Sequence, residues 1–234
     1  EAGSVEVSTA SGVASGNFAV ATGSSSFGKA GAISLQTGDS VASASGAIQL
    51  SVGASGSSAG SDIVLHAGAG GDIHQSTGGD VVLLTGSGQK RSGDLSLRTG
   101  ANDHEGASGA VHLASGSAVV DRSGQVSVAS GDSLGSSAGD VSVFAGKGLS
   151  GVGAAVLVRG GASDSGNGGS LQLSSGASIL GTSGATTLAS GSSTIESGRV
   201  TINSGTATQS HSGAVILASG DSSENQAGSV VVAV

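Results

Sequence analysis

A phrase of fifteen residues repeats along the whole chain, and it limits the folds open to it more than any other feature. SGQVSVAS at Ser123–Ser130 returns fifteen positions later as AGDVSVFA. An anchor Gly precedes each V-x-V or V-x-L step, at positions such as Gly3, Gly16, Gly31, Gly46, Gly124 and Gly139, with Ser61 standing in once. Sixteen units result, separated by 13 to 18 residues and by 15 on average. A period of this kind takes precedence over any local reading.

Four columns carry the signal. Fifteen of the sixteen anchors are Gly, and two residues on, thirteen are Val, Ile or Leu. Four residues on, all sixteen are aliphatic, from Val7 and Val20 to Leu217 and Val232. Seven residues on, Gly returns in fourteen of the fifteen units that reach that far, Ala10 being the exception. Aliphatics at spacing two are the pattern of a strand with one buried face. Gly at each end supplies turn conformations. One such strand is too short to be stable alone, but copies fifteen residues apart can pair in parallel about 4.8 Å apart.

The fold expected from the columns is therefore all-β. It is a single parallel β-solenoid, or β-helix, of about 15–16 coils at about 15 residues per coil. Its flattened, narrow core sets Val, Leu and Ile against Ser, Ala and Gly, and the Ser/Thr column at Thr22, Thr37, Thr85, Thr99, Ser115 and Ser130 faces inward by parity. The rod is on the order of 70 Å long from the same spacing. Residues 1–234 form one solenoid domain, with bulges at AGAGGDIHQSTGG and at Ala101–Ser108. The chain opens at Glu1 and stops at Val234 inside a phrase of the repeat, so it reads as an excerpt of a longer repetitive chain.

Composition agrees with thin slices of core. There are 45 Gly, three Phe and no Pro, Cys, Met, Trp or Tyr. At 36% hydrophobic and 10% charged, the chain lacks the polar, charged signature of disorder. Without Cys there is neither a disulfide framework nor a thiolate metal site. A net charge of −8 argues against nucleic acid and anionic membrane surfaces. No run is long enough for membrane insertion, and no signal peptide is expected from these residues.

The unit SG-x-V-x-L-x-SG-x-S resembles Ser/Gly-rich β-solenoid repeats in very large extracellular proteins of unicellular algae and other protists, over all 234 residues. It is also similar, in period and compactness, to the short-coil solenoids of insect antifreeze proteins. The first resemblance implies a secreted, fibre-forming or surface role at an extracellular or cell-surface location.

The second resemblance requires a regular outward array of Thr. The outward columns instead hold mixtures such as Asp94, Ser96 and Arg98, and Thr187 with Thr201 is the one adjacent outward pair. Asp62, Asp80 and Asp94 occupy the same outward column of three consecutive units, where a cation between stacked carboxylates would be stabilising. The competing reading, a solvated acidic patch eased by Lys90, Arg91 and Arg98, is preferred. His66, His74, His104, His112 and His211 complete no metal site, although His104 lies between Asp103 and Glu105. No nucleophile elbow is backed by a Ser/His/Asp arrangement. No cofactor is called for, and the chain is not expected to be an enzyme.

Outward apolar clusters remain: Val64 with Val82 and Leu84, then Phe144 with Val156 and Val158. Contiguous patches of this kind suggest lateral contact with another chain. Neither terminus looks like a polar cap, so subunits are expected to self-associate end to end as well. Ser and Thr offer sites for O-linked glycans, and there is no N-x-S/T sequon. The function expected from these features is a structural, fibre- or surface-forming rod without catalysis. The alternative is an adhesion module that binds ice, mineral or polysaccharide on a flat face.

Overall fold

The computed structural model describes residues 3–56, 59–71 and 76–233. They form two units, Glu1–Ala114 and Ser115–Val234. Neither unit contains a helix or a β-strand among the described residues; both are coil punctuated by bends. The expected all-β solenoid is therefore not the fold of this chain.

The reason lies in where the chain closes. A coil wound once per fifteen residues places each residue over the one fifteen further on. The observed closures are shorter. In the first unit the Gly79 N–H donates to the Gly68 carbonyl at 2.8 Å, and Gly93 N–H to Gly86 at 2.9 Å. In the second, Gly169 N–H donates to Gly161 at 2.8 Å and Gly184 N–H to Gly176 at 3.0 Å. These bonds span eleven, seven, eight and eight residues. Three of the four join the Gly seven residues after one anchor to the next anchor, and Gly161 lies one residue beyond that position.

Each repeat thus divides into an arm, running from the anchor through the sixth residue after it, and a loop that leads to the next anchor. The hydroxyl column at the arm's end meets the next anchor. Thr22 Oγ1 donates to the Gly31 carbonyl at 3.1 Å. A Cβ placed on Gly31 would lie 3.2 Å from Thr22 Cβ and Cγ2. Thr37 with Gly46, Thr85 with Gly93 and Thr99 with Gly109 repeat the approach in the first unit. Ser115 with Gly124, Ser175 with Gly184 and Ser190 with Gly198 repeat it in the second. At several anchors a Cβ would stand 3.1–3.9 Å from a neighbouring side chain or backbone, whereas Gly3, Gly16, Gly139 and Gly153 face open space. Outside the anchor column, a Cβ on Gly160 would overlap the Gly169 carbonyl oxygen, and one on Gly88 the Arg91 carbonyl oxygen.

Left-handed backbone is a minor part of the design. Among the described residues, positive φ occurs at Gly106 (128°) and Gly151 (95°), both in loops, and at neither repeated Gly column.

No described hydrophobic side chain is buried. The large ones are 46% to 112% exposed, so the expected core of Val, Leu and Ile against Ser, Ala and Gly is absent. The least exposed described residues, Thr37 and Ser204, belong to the hydroxyl column at the loop closures. The accessible area is 23635 Å². A compact protein of 21.5 kDa would expose about 9,000 Å², and its unfolded chain about 31,000 Å². Local closures, not burial, hold what order there is.

Candidate functional site

The most regular chemical feature is a turn built on a Ser hydroxyl, seen in six of the loops. Nine residues after the anchor, a Ser Oγ accepts the backbone N–H three residues further on. Ser25 accepts from Gly28 at 3.0 Å, and Ser40 from Ser43 at 3.2 Å. Ser133 accepts from Ser136 at 3.2 Å, and Ser178 from Gly181 at 2.9 Å. Ser222 accepts from Asn225 at 3.1 Å, while Ser163, one position later in its unit, accepts from Gly166 at 2.9 Å. Two units vary the theme: Ser193 Oγ accepts from Ile195, and Asn102 Oδ1 from His104, each two residues on. Ser and Asn suit the task because a short side-chain acceptor competes with the backbone for a nearby N–H.

The sequence reading placed this Ser in an opposite wall pressed against the aliphatics. The structure puts it at a solvent-exposed bend instead. The aliphatics that follow it, including Val41, Leu134 and Ile179, are as exposed as free side chains, at 105%, 105% and 99%. The signal that could have located the turn was Ser at a fixed offset after the second Gly, with polar or small residues around it. Ser133→Ala should speed exchange of the Ser136 amide about fivefold, the effect of losing roughly 1 kcal/mol of hydrogen bonding. Ser133→Asn should restore the slower rate, because Asn102 fills the equivalent position. Amide exchange followed by NMR checks both.

The acidic column does not assemble a cation site in the described residues. Asp94 pairs with Arg91 at 2.5 Å, with side chains 80% and 70% exposed. A surface pair of that kind contributes little to stability. Asp62 and Asp80 are exposed, and no group of three His or acidic side chains able to hold a metal is found among the described residues. His66, His104, His112 and His211 are exposed, with His104 positioned by its backbone bond to Asn102. His74 lies outside the described residues, as does part of the bulge expected between Ser61 and Gly79. Flanking that part, the Ser76 hydroxyl donates to the Gly71 carbonyl.

A concavity of about 560 Å³ lies against Ser96, Arg98, Thr99, Gly100 and Ala101. It presents one guanidinium and no acid–base pair, so its side chains do not supply proton-transfer chemistry.

The apolar residues singled out for lateral contact are exposed. Val64, Val82 and Leu84 show 64%, 68% and 88% of their surface, and Phe144, Val156 and Val158 show 87%, 55% and 63%. They are not set apart from the residues expected inside, since Val81 and Leu83, at 58% each, are also open to solvent. Every arm therefore leaves aliphatic side chains open to solvent, and a minority, such as those holding Val82 with Leu84 and Val156 with Val158, do so on both sides. No helix among the described residues is long and apolar enough to cross a membrane.

Comparison with protein-family models, with curated proteins and with solved structures gave no match to this chain.

Proposed function

We propose that the chain is a non-catalytic structural element of an extracellular fibre or surface coat, and that it acquires mechanical strength by self-association. One observation carries the reading: a chain 36% hydrophobic buries none of its described hydrophobic side chains. Exposed apolar side chains in such number, left in water, favour a surface covered by a partner. The repeat supplies that surface at regular intervals, and the loops keep it divided into short, equivalent lengths. The secreted, surface-forming role follows from the resemblance of the Ser/Gly-rich repeat to extracellular repeats of algae and protists.

Sedimentation and negative-stain electron microscopy of the purified chain test this reading. Elongated assemblies should appear as concentration rises, and faster with added salt, which screens the net charge of −8. A sedimenting species of 21.5 kDa at every concentration and salt level would overturn the proposal.

A further inference from the structure

We infer that the partner of each arm is the same arm of a second copy of this chain, added edge to edge in parallel register. The inference rests on the assembly reading above and specifies its interface. Four observations lead to it.

First, the arms have unused backbone. The backbone bonds that close the loops run from the anchor Gly that opens an arm to a Gly just past the preceding arm, and among the described residues no backbone–backbone bond joins the interior of one arm to another. An extended segment with open N–H and C=O groups is a template for strand addition. Second, nine of the sixteen arms contain no Asp, Glu, Lys or Arg, among them Gly16–Thr22, Gly46–Val52, Gly124–Ser130 and Gly213–Ser219. The loops hold 15 of the 24 charged side chains. Charge therefore neither steers these arms to an oppositely charged partner nor prevents a like one from approaching. Third, the arms are seven residues long, rich in Val, Leu and Ile, and contain no Pro. Those properties mark segments that stack on copies of themselves.

Fourth, the exposed area is large enough. The chain exposes roughly 14,000 Å² more than a compact protein of its mass, whereas a stable protein pair buries about 1,600 Å². A few paired arms would suffice. Register follows from the repeat. A slip of one residue sets aliphatic against polar along every arm, and a slip of fifteen leaves an arm unpaired at each end. Alignment of like with like keeps all of them.

The absence of Cys makes the test direct. A nitroxide on Ser127→Cys, between Val126 and Val128 in an uncharged arm, gives one label per chain. In-register parallel addition brings labels of successive copies to about 4.8 Å. The expected spectrum is collapsed by spin exchange in the assembled sample, and it reverts to isolated-label lines when labelled chains are diluted tenfold with unlabelled ones. Ser142→Cys provides the same readout in the next arm, in case the first variant does not assemble. Assembly without spin exchange at either position would overturn the register and edge pairing while leaving self-association standing. Monomer at all concentrations with isolated-label spectra would overturn both. A chain that wound up on itself would also give isolated-label spectra, because each copy bears a single label.

Discussion

At high dilution, a protease that cuts after Lys and Arg should cleave this chain at all eight of its sites, and on assembly the pattern should divide in two. In the monomer, Lys29, Lys90, Arg91, Arg98, Arg122, Lys147, Arg159 and Arg199 are all exposed on coil without ladder hydrogen bonds. Nothing in the chain would have to open before cleavage. In the assembly, Arg98, Arg159 and Arg199 lie in arms, whereas Lys29, Lys90, Arg91, Arg122 and Lys147 lie in loops. Paired arms must unpair before a protease can bind them, so cutting follows the small open population. If an arm's pairing is worth about 3 kcal/mol, cleavage at the arm sites slows by about 150-fold. The loop sites should keep their monomer rates within a few-fold. Time courses resolved by mass spectrometry read both classes in one sample. Equal slowing at all eight sites would mean that the loops are buried too, and no slowing at any would mean that the arms do not pair.

Replacing Val128 and Val143 together by Lys should raise the concentration needed for assembly by two to four orders of magnitude. Each Val loses about 1.5–3 kcal/mol of burial when it can no longer leave water, which totals about 3–6 kcal/mol for the pair. The new ammonium groups would also stack on their own copies and repel. The same change at the loop aliphatics, Val41→Lys with Leu134→Lys, should alter the threshold less than tenfold, because those side chains stand at bends outside the arms. Light scattering across a concentration series compares the two variants. The monomer should be indifferent to both changes, since none of the four side chains is buried in it.

The sequence pattern marked out the arms as aliphatic segments bounded by Gly at Gly124 and Gly131, or Gly139 and Gly146, but made them strands, and no strand occurs among the described residues. It also singled out the hydroxyl column at Thr22, Thr37 and Ser115, although not its neighbour. Parity suggested an interior ladder of hydroxyls, whereas each one meets the following anchor Gly. The acidic column shows the same gap. Asp62, Asp80 and Asp94 are equivalent by offset, yet Asp94 pairs with Arg91, three residues away in its own chain. The turn at Ser25, Ser40 and Ser133 passed unnoticed because in a chain so rich in Ser a single column has little contrast, and its meaning depends on a backbone N–H three residues on.

What the sequence determined by itself is equivalence: which residues occupy the same position in each of sixteen units, and that the aliphatic ones fall in short segments between Gly residues. Contact was decided only in three dimensions. A period of fifteen is satisfied equally by laps laid one over another and by loops that close on themselves after seven to eleven residues. Loop entropy barely separates the two, since closing nine residues instead of fifteen saves about 0.5 kcal/mol. The decision falls to particular bonds, such as Gly176 receiving the Gly184 N–H and Ser178 receiving that of Gly181. They turn the chain back early, and so leave the arms of the monomer without neighbours.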